Sequence, residues 1–311
     1  MMCVTCGCSN TGAVTISSLG AGKQAAMSKS ASKEAQQTTQ TSQKRVFRDV
    51  VTHSHDHIHN RVHEHSHDES PAALHAKAHG KTIALEQNIL AKNQLIAERN
   101  RGWLAGREIL ALNLVSSPGS GKTTLLERTI RDVGAELGIS VIEGDQATLN
   151  DAERIRATGA PAIQINTGAG CHLEADMLER ALEQLKPPVG SVVMIENVGN
   201  LVCPALFDLG ERAKVVILSV TEGEDKPIKY PHMFKAAEIM LLNKIDLLPH
   251  LRFDVAKCIA YALESNPDIR VLQVSAQTGE GMEIWYDWLK QQVPSQLTAR
   301  ASRNTELSAA I

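Results

Sequence analysis

The chain has 311 residues, room for one large domain or two ordinary ones, and its 43% hydrophobic and 22% charged content is that of a soluble globular protein. A formal net charge of −3 gives no electrostatic reason for nucleic-acid binding, and with aromatics at 3% the core must be built from Leu, Ile, Val and Ala. No apolar run approaches the roughly 20 residues that span a bilayer. The N-terminal segment also lacks the apolar stretch of a secretory signal, so no membrane association and a cytoplasmic location are expected.

Residues 1–45 are rich in Ser, Thr, Gln, Ala and Lys, without hydrophobic periodicity, and are expected to be a disordered tail around a cysteine head, Cys3, Cys6 and Cys8. A second zone, residues 46–80, is His-rich: His53, His55, His57, His59, His63, His65 and His67, followed by His75 and His79. Residues 81–294 read as globular, and residues 295–311 as a loose polar tail.

The globular part opens on a helix whose Ile83, Leu85, Ile89, Leu90, Leu95 and Ile96 recur near the helical period. A strand is predicted at Ile109–Ser116, then a Gly-rich turn and a helix beginning near Lys122. Further apolar runs follow at Ser140–Ile142, Ala162–Ile165, Ser191–Ile195, Ala213–Val220, Ile239–Leu242 and Arg270–Val274, alternating with amphipathic helices. Alternation of this kind predicts an α/β fold, a mostly parallel sheet flanked by helices on both faces.

Ser116-Ser117-Pro118-Gly119-Ser120-Gly121-Lys122-Thr123-Thr124 falls between the first such strand and its helix. Glycines let backbone N–H groups converge on an anion, and the helix N-terminus adds its dipole. Lys122 is placed to bridge terminal phosphates and the Thr123 hydroxyl to ligate Mg²⁺. Ser116 stands where such loops usually begin with glycine. The segment still reads as the phosphate-binding loop of a P-loop NTPase, with Pro118 through Thr124 as nucleotide contacts.

Asn243-Lys244-Ile245-Asp246 follows a predicted strand. A carboxylate at Asp246 can accept from the two N–H donors of guanine, which adenine cannot match. Lys244 is placed to pack along the base, Asn243 to brace neighbouring loops, and the N–H groups of Ser275 and Ala276 to meet the guanine O6. GTP and GDP are therefore expected over ATP. Asp145 is placed to reach Mg²⁺. Glu196 is placed to orient a metal-bound or attacking water, and the Gly199 N–H to sense the γ-phosphate. No glutamine follows Gly199, so intrinsic GTP hydrolysis is expected to be slow.

Three thiols within six residues, Cys3, Cys6 and Cys8, can wrap one ion, and soft sulfur donors suit Ni, Zn or Cu(I) over Mg or Ca. A second set, Cys171, His172 and Cys203, flanks the nucleotide-sensing loops, with Cys171-His172 expected at a helix start. Cys258 lies in an apolar helical stretch and reads as core. The histidine tract is expected to supply several weak, exchanging imidazole sites that buffer metal.

In combination these motifs resemble the hydrogenase nickel-incorporation GTPases, the HypB family, over essentially the whole chain. The resemblance rests on the cysteine head, the His-rich insert, Ser116–Thr124, Glu143-Gly144-Asp145-Gln146, Gly170-Cys171-His172, Glu196–Pro204, Glu222–Tyr230 and Asn243–Asp246. It implies a GTP-dependent homodimer that inserts nickel into the large subunit of [NiFe]-hydrogenase, with a HypA-type nickel chaperone as partner. It further implies that Cys3, Cys6 and Cys8 form an N-terminal nickel site, and that Cys171, His172 and Cys203 form a nickel or zinc (Ni²⁺, Zn²⁺) site at the dimer interface. Met2 before Cys3 sets the α-amine one residue further from the first thiol than a Met-Cys start would. Two other readings share these motifs: a urease nickel-insertion GTPase, against which the cysteine head argues, and a nickel or zinc store whose release GTP regulates.

Overall fold

In a computed structural model, residues 15–19, 71–145, 150–168 and 170–293 are described. The cysteine head and His53–His67 lie outside them. The chain divides into two units. In Gly22–Thr82 the described residues are the first turns of one long helix, and the second unit comprises Met1–Ala21 and Ile83–Ile311.

The elements are β1 (Thr15–Leu19), α1 (Pro71–Gly106), β2 (Leu110–Ser116), α2 (Lys122–Leu137), β3 (Ile139–Asp145), α3 (Asn150–Ala157), β4 (Ala162–Asn166), α4 (Ala175–Leu185), β5 (Val192–Glu196), α5 (Cys203–Leu206), β6 (Ala213–Ser219), α6 (Lys226–Lys229), α7 (Pro231–Ala236), β7 (Ala237–Asn243), a 3₁₀ turn (Ile245–His250), α8 (Val255–Ser265), β8 (Arg270–Gln273) and α9 (Met282–Gln292). They build one eight-stranded sheet in the order β1-β4-β3-β5-β2-β6-β7-β8. β2 through β8 pair in parallel, and only β1 runs antiparallel, along β4. The seven parallel strands coincide with the seven apolar runs, because a strand covered on both faces must be apolar at nearly every position; β8, at the sheet edge, is the exception and exposes Arg270 and Gln273. In β2, Leu110, Leu112 and Leu114 face α2 and α9, while Ala111 and Val115 enter clusters on the other face.

β1 corrects the expectation that residues 1–45 are all unstructured. One apolar residue, Ile16, packs on the core between exposed Thr15 and Ser17, and a single such residue leaves no periodicity to read. Its register, Ile16 opposite Ile165, is supplied by β4. α1 also begins earlier than the apolar pattern does, so His75 and His79 fall on helical backbone. Its buried side is partly amide. Asn100 Nδ2 donates to the Ala175 and Leu209 carbonyls at 2.8 and 2.9 Å, and Asn93 Oδ1 accepts from the Ala175 N–H at 2.8 Å. α1 thereby clamps the start of α4, and Asn93 satisfies the Ala175 N–H, which has no partner within its own helix.

Between α2 and α9, Trp285 is completely buried, and its indole N–H donates to Thr129 Oγ1 at 3.0 Å. Replacement Trp285→Ala is expected to cost about 3–5 kcal/mol of unfolding free energy, read from urea denaturation. A loss below about 1 kcal/mol would show that this packing does not hold α9 on the sheet.

Candidate functional site

The strand order reverses on either side of β2, and the crevice at the carboxyl ends of the strands there is where open α/β sheets bind ligands. A cavity of about 520 Å³ occupies that crevice, lined by Ser116–Thr124, the Glu143–Asp145 end of β3, Asp151, Arg154, Glu196–Gly199 and Lys244. Gly119 and Gly121 take left-handed backbone conformations at φ 76° and 90°. A Cβ at Gly121 would sit 2.6 Å from Asn243 Nδ2, so glycine is required there by space as well as by conformation.

The two residues expected to meet phosphate and Mg²⁺ share one carboxylate. Glu196 Oε1 accepts from Lys122 Nζ at 3.0 Å and from the Thr123 hydroxyl at 2.7 Å. Glu196 is 2% exposed, so it is not a solvated strand-end acid. Its neighbour across the β3–β5 ladder is Glu143, also 2% exposed. Burial, then the negative charges of Glu196, Asp145 and Asp151, push the Glu143 carboxyl up to about 8, so it carries a proton at neutral pH. One oxygen of each glutamate, Oε2, is buried without a hydrogen-bond partner. With Asp145 and Thr123 they line the same cavity, and oxygen donors of the Asp145 and Thr123 kind suit a hard divalent cation.

At the other end of the cavity, buried Asn243 ties two loops together. Its Nδ2 donates to the Ser120 carbonyl at 3.0 Å and its Oδ1 accepts from the Ala276 N–H at 3.1 Å. The Ala276 N–H is therefore engaged by Asn243 here, because a buried carboxamide needs its partners. Lys244 lies over the phosphate loop, its Nζ donating to the Gly119 carbonyl at 2.7 Å. Asp246 accepts from Ser275 Oγ at 2.5 Å, which holds its carboxylate beside the Ser275–Ala276 loop.

The structure brings Cys171, His172 and Cys203 together. The ligand atoms of Cys171, His172 and Cys203 lie within 4.8 Å of one another, with the two Sγ atoms 3.1 Å apart. α4 starts at Ala175, so Cys171 and His172 sit in the loop before it and not at a helix start. His172 packs its ring on Phe207 at 4.0 Å. Burial pushes His172 down to about 4, leaving the neutral imidazole that a metal requires. Sulfur and imidazole donors suit nickel or zinc. The two constellations approach closely: a Cβ on Gly144 would meet Leu173, the residue after His172, at 2.7–2.9 Å.

Residues 110–273 match the family described as the CobW/HypB/UreG nucleotide-binding domain. The chain is 60% identical over 212 residues to the hydrogenase maturation factor HypB of Escherichia coli strain K12, covering 68% of this chain and 73% of that protein. It is 59% identical over 232 residues to the HypB of Azotobacter chroococcum, covering 74% and 76%. This chain belongs to the HypB family of hydrogenase maturation factors. Crystal structures agree. HypB from Archaeoglobus fulgidus aligns with a TM-score of 0.61 at 41% identity over 65% of this chain and 98% of that one. HypB from Helicobacter pylori, solved in complex with nickel, aligns with a TM-score of 0.61 at 36% identity over 65% and 94%. Among the described residues no helix is long and apolar enough to cross a membrane.

Sequence reasoning did not single out Glu143 or Arg154 as site residues. Glu143 could have been found only through the β3–β5 register. Arg154 reaches the cavity from α3, donating to Thr124 Oγ1 at 3.0 Å and to Glu127 at 2.6 Å. Cys258 packs in the core as expected, and burial, with smaller contributions from Glu224 and Glu222, pushes its thiol up to about 12. Iodoacetamide at mildly alkaline pH should therefore label half-buried Cys171 and Cys203 in the native protein and leave Cys258 unmodified until unfolding. Peptide mapping by mass spectrometry reads the difference, and equal labelling of Cys258 and Cys203 would contradict it.

Proposed function

We propose that this chain is a GTP-hydrolysing nickel metallochaperone that assists insertion of nickel into the large subunit of [NiFe]-hydrogenase. The observation that carries the reading is the junction of the two constellations. One short segment begins at Glu196, bonded to the phosphate-loop residues Lys122 and Thr123, and ends at the metal-ligating Cys203. The nickel-bound HypB from Helicobacter pylori supports nickel as the cargo.

GTP enters with its phosphates against the Gly119–Gly121 N–H groups, and Lys122 exchanges Glu196 for phosphate oxygens. Thr123 and Asp145 would hold Mg²⁺, which when bound neutralises charge on the phosphates. Glu196, released from Lys122, orients the water that attacks the γ-phosphorus, giving GDP and inorganic phosphate. The Gly199 N–H faces the γ-phosphate end. Without a glutamine to position the water, turnover is slow. Asp246 accepts from the guanine edge.

Cys171, His172 and Cys203 form the nickel or zinc site, in a homodimer that GTP favours. Cys3, Cys6 and Cys8 form a second nickel site, and the histidine tract buffers metal. The partners are a HypA-type chaperone and the hydrogenase subunit, in the cytoplasm.

Three measurements test this reading. Asp246→Asn removes a charged acceptor of two hydrogen bonds, each contributing about 1.5–3 kcal/mol, so GTP affinity should fall on the order of a hundredfold or more. Calorimetry that finds unchanged GTP affinity would place the base elsewhere. In single-turnover assays Glu196→Ala should slow hydrolysis by about 10²–10⁴ while the nucleotide remains bound. Hydrolysis at the parent rate would remove Glu196 from the chemistry. Nickel titration completes the test: Cys171→Ala should lose one site, and the Cys3/Cys6/Cys8 triple Ala variant another.

A further inference from the structure

Between the nucleotide cavity and the Cys171–His172–Cys203 cluster lies a chain of side-chain amides that neither chemistry uses directly. Asn197 follows Glu196 and is 1% exposed. Its Oδ1 accepts from the Leu173 N–H at 3.1 Å and the Val198 N–H at 2.9 Å. Its Nδ2 donates to Asn113 Oδ1 at 3.1 Å, and its own N–H donates to the Leu114 carbonyl on β2 at 3.0 Å. Asn200 makes a second link, donating from Nδ2 to the Cys171 carbonyl at 3.3 Å while its Oδ1 accepts from the Val202 N–H at 2.7 Å. Between them, Gly199 rests on the phosphate loop, where a Cβ would stand 3.1 Å from Pro118 Cγ.

The 196–200 segment thus touches the phosphate loop through Glu196 and Gly199, and grips both ends of Cys171-His172-Leu173 through two carboxamides. Cys203 starts α5 beside buried Pro204, one residue past Val202, so Asn200 holds Cys171 on one side and the approach to Cys203 on the other. A phosphate that takes Lys122, with the Mg²⁺ that Thr123 would hold, removes both partners of Glu196 Oε1, and the segment must re-pair. Any displacement is passed through Asn197 and Asn200 to two of the three metal ligands and changes their placement relative to the third. Buried amides with their hydrogen bonds made transmit such a shift because no water is present to replace a lost partner.

We infer that Asn197 and Asn200 are positioning residues that make the metal affinity of Cys171, His172 and Cys203 depend on the bound nucleotide. The inference rests on reading those three residues as the metal site of a GTPase. By linkage, nickel must shift nucleotide affinity by the same factor.

The test uses full-length protein with Cys3, Cys6 and Cys8 changed to Ala and His53, His55, His57, His59, His63, His65 and His67 changed to Gln, so that nickel ion, as probe, titrates the inner site without the cysteine head or the histidine tract. Nickel affinity is measured with GDP and with a non-hydrolysable GTP analogue. The parent is expected to show a ratio of about fivefold or more between the two states. Asn197→Ala and Asn200→Ala should bring it within about twofold, and Asn197→Asp, which keeps an acceptor for the Leu173 N–H, should restore most of it. A variant with merely poorer folding would weaken nickel binding equally in both states and leave the ratio standing. Parent-like ratios in both Ala variants overturn the inference alone. A ratio of one in the parent overturns the coupled-site reading along with it. If Asn197→Ala fails to fold by circular dichroism, the half-buried Asn200→Ala decides.

Discussion

A single carboxylate oxygen, Glu196 Oε1, receives both Lys122 and Thr123 inside the sheet's central crevice. With 3% of the Glu196 side chain exposed and 12% of Lys122, the ion pair is largely withdrawn from water. Such a pair is held by geometry more than by net energy. Its desolvation cost is large, whereas removing one partner strands the other at a cost of about 3–5 kcal/mol. The protonated state of Glu143 fits this arrangement, since a second anion across the ladder would oppose the pair. Glu196 is thereby tied to the two phosphate-loop residues that the proposed mechanism assigns to phosphate and Mg²⁺.

The rest of the sheet makes that tie rigid enough to matter. β2 and β5 are hydrogen-bonded neighbours, so the phosphate loop and the Glu196–Cys203 segment leave the sheet side by side. Beneath them a buried polar path runs from Asn197 to Asn113, to Glu211 and to Lys214, whose Nζ reaches Glu211 Oε1 at 2.5 Å and the Phe207 carbonyl at 3.2 Å. Phe207 in turn packs on His172. Networks of this kind specify one arrangement when every member is satisfied.

Most of the architecture is readable in the primary structure for a simple reason. Strands covered on both faces must be apolar at almost every position, so seven of the eight strands announce themselves, with glycines and polar turns between them. β1 does not, because an edge strand with one inward Ile16 resembles any polar tail. The two loops read as phosphate and guanine sites are equally legible, since their motifs are carried by neighbours in the chain: Gly119 to Thr123, and Asn243 to Asp246. The buried state of Glu196, by contrast, depends on β3 and the phosphate loop closing over it.

The amino-acid sequence by itself determined the fold class, the family and the residue types at each loop, because local chemistry and hydrophobic alternation act over short stretches of chain. Tertiary structure alone decided what those loops do to one another. Cys171 and Cys203 are 32 positions apart, and only the β4–β3–β5 order sets their sulfurs at 3.1 Å. Glu143 acquires its proton from burial opposite Glu196, and Asn197 acquires its grip on Leu173 from the same packing. Burial and strand register are properties of the assembled sheet, which is why the packing of the cavity loops against the Cys171–His172–Cys203 cluster becomes visible only there.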